Sequence, residues 1–279
     1  MLQLGGPVQS LCTMGLGLAV GETAPDGEYG HIFAEMASMS IKTHDYEKHA
    51  DAFADLEMQG TQYLAFRDIP MLIDEYASSV ASVLDYGCGA GRSTRFLKRL
   101  GYDAVGVDIS HDMLRQARSR DEAGEYHHVP SGRLPFEDSA FDLIFASYVF
   151  LEVSRIAEIE NILKELKRVL RKDGIIILVT SSTEATEGNW VSLSYAFPEN
   201  DKLLQSGDTV KLLIQGIDVV LYDYFWTEED YVGAARRAGL DVAKLHKPLG
   251  RTGEGIEWRD ETKMSPIAIY VLGTSSLMQ

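Results

Sequence analysis

From Ser82 onward the chain alternates short β-rich runs with amphipathic helical stretches, and this alternation restricts it to few folds. The runs are Ser82–Tyr86, Ala104–Val107, Tyr126–Val129, Asp142–Ala146 and Ile175–Thr180. The clearest helix places Ile156, Ile159, Leu163, Leu166, Val169 and Leu170 on one face, with Gly174 beyond its end. Strands separated by helices run parallel, and a parallel sheet needs helices over both faces. Upstream, residues 46–78 carry helical spacing that Pro70 interrupts. Downstream, Thr209–Tyr224 reads as two strands around Gly216. Thr227 then caps a helix whose first turn is acidic and which ends at Gly239. Asp241–His246 and Ile267–Leu272 read as two more strands.

The most informative junction is Val83-Leu84-Asp85-Tyr86-Gly87-Cys88-Gly89-Ala90-Gly91-Arg92. A buried strand runs into three glycines at alternate positions and then into a helix. Glycine lets the backbone turn sharply and lets a ligand approach without a Cβ in the way. The helix behind it offers free amides. The plain alternative is a tight strand-to-helix turn that holds nothing. Two carboxylates favour a ligand. Asp108 ends the second strand, where a carboxylate suits the two hydroxyls of a ribose. Asp85 lies inside the first strand, where a carboxylate is costly without a partner, and a ligand ammonium is a natural one. A dinucleotide fingerprint requires Gly-x-Gly-x-x-Gly or Ala, but Arg92 stands at its sixth position.

The spacing here is Asp-x-Gly-x-Gly-x-Gly, and with it the chain resembles the class I S-adenosylmethionine-dependent methyltransferases. Four further motifs follow in order. They are Asp108-Ile109-Ser110 with Met113, Pro135-Phe136-Glu137-Asp138 with Phe141-Asp142, Val169 to Gly174, and Thr227-Glu228-Glu229 with Ala238-Gly239-Leu240. The resemblance covers roughly residues 46–272. It implies an α/β, Rossmann-like fold with a seven-stranded, mostly parallel sheet, helices on both faces and a small β-hairpin cap. It implies S-adenosyl-L-methionine as cofactor and S-adenosyl-L-homocysteine as product. Gly87, Cys88, Gly89, Gly91 and Ser147 would then wrap the methionine and ribose. Asp85 would hold the ammonium directly or through water, and Asp108 the ribose hydroxyls. Ile109 and Met113 would pack on the adenine. Gly132 and Arg133 stand where the family places residues that read the adenine amino group, and Tyr46 and Arg67 where it contacts the methionine carboxylate, with pairing to the neighbouring Asp68 or Asp74 as the plain reading of Arg67.

Methyl transfer is an in-line displacement, so alignment supplies much of the catalysis and a base is needed only for some nucleophiles. After the fourth strand, Tyr148 and Glu152 are the candidate catalytic residues, with a surface carboxylate and a core tyrosine as the plain readings. Glu152 stands near a position where many relatives have His, and would accept a proton or orient an amine. Aromatic residues gather between the fifth strand and the late helix, so Trp190, Tyr195, Tyr222 and Tyr224 are candidate substrate-binding residues. His246 at the end of a late strand is another, with a structural histidine as its alternative. The loop from Pro248 to Pro266 is long enough to gate a site. No His, Cys, Asp or Glu cluster shows metal-ligand spacing.

The expected organisation is an N-terminal extension (1–38), a helical lid (39–80), the cofactor-binding core (81–182), a substrate cap (183–226) and a closing helix with the last two strands (227–279). Residues 1–38 contain no Lys or Arg and many small residues. The apolar stretch Leu11–Val20 is short and does not read as a secretory signal. A formal net charge of −16 argues against a nucleic-acid partner and against an anionic membrane surface. Two cysteines point to a reducing cytoplasm. These features lead to a cytoplasmic methyltransferase, monomer or homodimer, that acts on N, O or C of a small molecule. The rivals are a protein methyltransferase, an NAD(P)-dependent oxidoreductase and a catalytically silent cofactor-binding subunit.

Overall fold

The computed structural model describes residues 49–56, 58–77, 79–130 and 132–274. The expected extension (1–38) and Tyr46 lie outside the described residues. In chain order the strands are β1 (Ser82–Tyr86), β2 (Asp103–Asp108), β3 (Glu125–His128), β4 (Phe141–Ser147), β5 (Leu170–Ser181), β6 (Leu193–Ser194), β7 (Thr209–Ile214), β8 (Val219–Tyr224), β9 (Asp241–His246) and β10 (Ile267–Gly273). The α-helices are α1 (Ala50–Asp55), α2 (Thr61–Arg67), α3 (Ile69–Tyr76), α4 (Arg92–Arg99), α5 (His111–Arg120), α6 (Ile156–Val169) and α7 (Glu228–Arg237).

Seven strands form the main sheet in the order β3-β2-β1-β4-β5-β10-β9. Strands β1 to β5 pair in parallel, and β10 inserts antiparallel between β5 and β9. The chain leaves β1 toward β2 and β3, then crosses back to β4 and β5. The carboxyl ends of β1 and β4 therefore flank a switch point, where open α/β sheets bind ligands. The fold is the Rossmann-like one implied by the motifs. The cap is slightly larger than a hairpin, because β6 pairs with β7 beside the β7–β8 ladder.

Both faces of the sheet are covered, as the apolar strands require. On one face Ile159, Leu163 and Leu166 of α6 and Ala234 and Ala235 of α7 pack on Leu84, Ile144 and Ile176. On the other, Leu64, Phe66, Ile69 and Leu72 pack on Val83, Leu143, Phe145 and Ile177. Truncating a fully buried leucine such as Leu143 to Ala costs about 2–5 kcal/mol. This second layer corrects the expectation of a lid over 39–80. Residues 61–76 bury their apolar stripe against the sheet, and α1 packs Phe53 toward the cap. Pro70 sits in the first turn of α3, where its missing N–H leaves no bond unmade. Thr227 forms the expected cap of α7, reinforced by a reciprocal bond from its own N–H to the Asp230 carboxylate.

Two further expectations change. Gly174 lies within β5, and the extended chain begins at Leu170, which pairs with Phe141. A Cβ at Gly174 would meet the Asp142 carbonyl at 2.7 Å, so the close strand approach demands glycine. The 248–266 loop is anchored rather than free. Fully buried Glu261 accepts bonds from Thr61 Oγ1 and Val191 N, both at 2.7 Å, and none of the loop's residues lines the large cavity described below. Among the described residues no helix is long and apolar enough to cross a membrane.

Candidate active site

A cavity of about 570 Å³ opens at the carboxyl ends of β1, β2 and β4 and continues beneath the cap. Gly87, Cys88, Gly89, Asp108, Ile109, Met113, Ser147, Tyr148, Glu152 and Tyr195 all line it. The glycines serve different needs. Gly87 has φ +70° and a Cβ there would come within 2.3 Å of Val149 Cγ2, so the neighbouring loop closes over it. Gly89 has φ +52° with no atom within 4 Å of a Cβ position, so its bare backbone faces open space. Its N–H donates to Asp108 Oδ2 at 2.8 Å, while Ser110 N–H donates to Oδ1 at 2.8 Å. Burial pushes the Asp108 carboxyl up, and the Ser110 and Gly89 amides pull it back. The carboxylate is thus fixed in place with acceptor capacity left over. Beside it the Ile109 side chain is 60% exposed, a flat apolar face at the cavity edge.

Asp85 takes a different position from the one expected. It is fully buried behind the wall, where Oδ2 accepts from Thr94 Oγ1 at 2.6 Å and Ser93 Oγ at 2.7 Å. Oδ1 has no partner. Burial raises the carboxyl to about 6, although Thr94, Ser93 and Arg92 oppose the shift. Ser93 lines the cavity, so Asp85 touches a wall residue and not the cavity itself. Arg92 opens α4 at the cavity wall, with its guanidinium 5.2 Å from the Phe66 ring centroid.

On the cap side, Tyr148 follows β4 with φ +60°, a conformation that costs a non-glycine residue about 1–2 kcal/mol. Its N–H donates to Val179 O at 2.8 Å, and its buried Oη has no partner. Glu152 sits on the short 3₁₀ turn Phe150–Glu152. Near it is Asp223, a residue the sequence reading missed. Asp223 lies in β8 opposite Val210 and faces the cavity at 7% exposure. Burial, followed by the charge of Glu152, drives its carboxyl well above the usual range. The available signal was an Asp at an inward position of an otherwise alternating strand. Gln62 was also missed; it is 4% exposed, lines the cavity and leaves Oε1 without a partner.

Other expected site residues lie elsewhere. Gly91 packs toward Tyr126 and Ala117. Gly132 and Arg133 are exposed and off the cavity wall. Arg67 pairs with Asp68 and Glu254, both at 2.7 Å, and His246 Nε2 lies 2.8 Å from Asp68 Oδ2. These four side chains tie α2 to β9 and the 248–266 loop. Trp190 is fully buried in the cap core with Nε1 donating to Ala185 O at 2.6 Å. Tyr222 and Tyr224 occupy the opposite face of β8 from Leu221 and Asp223, because strand side chains alternate.

Comparison with known proteins now bears on this geometry. Residues 84–178 match the methyltransferase domain family. The core is a class I S-adenosylmethionine-dependent methyltransferase domain. The methyltransferase is 27% identical over 217 residues to N-demethylindolmycin N-methyltransferase of Streptomyces griseus, covering 75% of this chain and 89% of that one. It is 36% identical over 100 residues to malonyl-[acyl-carrier protein] O-methyltransferase of Salmonella typhimurium, where the match covers 36% of this chain and 39% of the relative. A putative S-adenosylmethionine-dependent methyltransferase from Listeria monocytogenes shares the fold with a TM-score of 0.56 at 17% identity, covering 76% and 97% of the two chains. One from Mesorhizobium loti does so with a TM-score of 0.54 at 17% identity, covering 74% and 96%. The cavity of the methyltransferase suits the cofactor. Bare backbone at Gly89, a fixed acceptor at Asp108 and an exposed apolar face at Ile109 match a ribose and an adjoining base in kind.

Proposed function

We propose that the protein methylates N, O or C of a small-molecule acceptor bound under the cap, in the biosynthesis of a specialised metabolite. The observation that carries this reading is the continuity of one cavity. It begins at the glycine turn and ends in a chamber walled by Leu193, Leu212, Ile214 and Leu221 of the cap. Such a chamber encloses a small, partly apolar molecule. The relative from Streptomyces griseus, named for methylation of N-demethylindolmycin, supports a small acceptor. The free, buried Cys88 suits a reducing cytoplasm.

In this reading the backbone of Gly87, Cys88 and Gly89 holds the cofactor, Asp108 accepts the ribose hydroxyls, and Ile109 and Met113 flank the adenine. Asp85 is a positioning residue that braces the turn through Ser93 and Thr94. When bound, S-adenosylmethionine supplies an electrophilic methyl group on a sulfonium. Tyr148 and Glu152 orient the acceptor, and Glu152 takes up its proton where the nucleophile carries one. Tyr195 lines the acceptor end, with Oη 3.4 Å from Ser181 Oγ. Calorimetry with S-adenosylhomocysteine and with NADH, followed by methyl labelling of a metabolite pool and of a basic protein extract, tests the reading. Binding of S-adenosylhomocysteine alone and label in the metabolite pool are expected. Label confined to protein would overturn it.

A further inference from the structure

Two uncharged polar side chains on the cavity wall have hydrogen bonds left unmade. Gln62 is 4% exposed on α2, and among the described residues its Oε1 has no partner. Tyr148 follows β4, and its buried Oη has none either. Both residues line the cavity that runs from the glycine turn to the cap. The backbone beneath each is fixed. Next to Gln62, Thr61 Oγ1 donates to Glu261 Oε1 at 2.7 Å and Thr61 N–H donates to Ser192 Oγ at 3.0 Å. Ser192 N–H donates back to Thr61 Oγ1 at 3.1 Å. Tyr148 N–H donates to Val179 O at 2.8 Å. A buried donor or acceptor left unmade is costly, and leucine and phenylalanine would fill these two positions without that cost.

The chemistry of the two groups defines what would satisfy them. The Gln62 amide oxygen accepts, and the Tyr148 hydroxyl donates. Burial pushes the Tyr148 phenol up, while the Arg92 charge pulls it down and the Asp223 charge pushes it up, so the hydroxyl keeps its proton. A ligand has to bring a donor for Gln62 and an acceptor for Tyr148. An ammonium has no acceptor, and a carboxylate has no donor. Residues of both charge signs also line the cavity, Arg92 at the start of α4 and Asp223 and Glu152 on the cap side. The wall as a whole therefore gives an ion of either sign no clear advantage. The aliphatic residues of the cap, Leu193, Leu212, Ile214 and Leu221, suit the rest of an uncharged molecule.

We propose that Gln62 and Tyr148 together recognise an uncharged group of the acceptor that both donates and accepts hydrogen bonds, a hydroxyl or an amide. The chamber then prefers neutral polar molecules to hydrocarbons and to ions. This rests on the small-molecule reading above and narrows its acceptor class. Gln62 adds a specificity-determining residue from the layer of helices that covers the sheet.

The test is calorimetry at pH 7.5 on enzyme saturated with S-adenosylhomocysteine. The probes are toluene, benzyl alcohol, benzamide, benzylamine and benzoate, then isobutanol, isobutyramide, isobutylamine and isobutyrate. In at least one series the alcohol or the amide is expected to bind about ten-fold more tightly than either ion, and in the ring series than toluene. That is the ratio of about two ordinary hydrogen bonds. Gln62→Leu and Tyr148→Phe are each expected to cut the preference about three-fold, with toluene affinity kept. Without ligand, Tyr148→Phe is expected to melt no lower than the wild-type protein, because it deletes an oxygen that has no partner. Should Gln62→Leu not fold, Tyr148→Phe carries the test. Toluene or an ion that binds as tightly as the neutral polar probes would overturn the inference. So would a preference unchanged in both variants, a lower melting temperature for Tyr148→Phe, or no probe binding at all. Failure to bind S-adenosylhomocysteine would instead sink the methyltransferase reading, and methyl label confined to protein the small-molecule reading, so the failures are distinguishable.

Discussion

Gly87 and Gly89 sit two residues apart with similar backbone angles, yet alanine should act on them in opposite ways. Both have positive φ, +70° and +52°, so an L side chain costs about 1–2 kcal/mol at either. Alanine also restricts the unfolded chain, which offsets about 0.4–1 kcal/mol. At Gly87 the new Cβ would stand 2.3 Å from Val149 Cγ2, and relieving that overlap costs about 1–3 kcal/mol more. At Gly89 no atom lies within 4 Å, so the methyl enters the cavity without straining the fold. Gly87→Ala should therefore lose about 2–4 kcal/mol of stability, and Gly89→Ala only about 1 kcal/mol. The order reverses for ligand affinity. Gly89→Ala should weaken S-adenosylhomocysteine binding about ten-fold or more, because its methyl occupies space the bare backbone offers. Urea denaturation gives the stabilities, and calorimetry gives the affinities. Equal destabilisation by the two variants, with full affinity retained in Gly89→Ala, would refute the assignment of the turn to cofactor binding.

Three further perturbations follow from the same carboxylates. Asp108→Ala should weaken S-adenosylhomocysteine binding by about 1.5–3 kcal/mol, the value of a charged hydrogen bond, and an unchanged dissociation constant would remove the ribose role. Asp85→Asn should stabilise the ligand-free protein at pH 7.5. The folded carboxyl titrates at about 6 against 3.8 unfolded, so native stability falls as pH rises through that window, and the amide escapes the loss. A lower melting temperature for Asp85→Asn at that pH would contradict this. Asp68 shows the opposite sign. Burial would raise its carboxyl, but Arg67, His246 and Arg251 outweigh burial and hold it at about 2. It contributes about 2 kcal/mol above pH 3.8, lost as pH falls toward 2, so the stability gap to Asp68→Asn should close over that range.

The parts of this protein that could be read from the chain are those where one local rule decides the outcome. The run Ser82–Tyr86 is buried on both faces, so its apolar character alone marks a central strand. The turn after it is legible because positive φ and close approach both demand glycine. Thr227 and Asp230 mark a helix start by a bond between neighbours in sequence. The 61–76 segment was misread because an amphipathic helix looks the same whether it covers a sheet or a site, and only the partner face distinguishes them. The same limit applies to Trp190, Tyr222 and Tyr224. Aromatic content marked the cap, but strand register decides which side chains face inward, and Trp190 fills the cap core rather than the chamber. Arg67 pairs with its neighbour Asp68, a contact legible in sequence, but its pairing with Glu254 and that of His246 with Asp68 span 187 and 178 residues and leave no local trace.

Asp223 marks the boundary between fold and function most clearly. Its neighbours along the inward face of the cap are Val210, Leu212, Ile214 and Leu221, so a leucine at this position would serve the cap better. A carboxyl group there is costly on its own, and Glu152 beside it makes its ionisation harder still. Thr94 and Ser93 offset the burial of Asp85, and Arg67 that of Asp68, but among the described residues no cation offsets Asp223. In the proposed reading the cap contributes the acceptor chamber, and the glycine turn contributes the cofactor site. The first depends on strand register across a small sheet, whereas the second is written in consecutive residues.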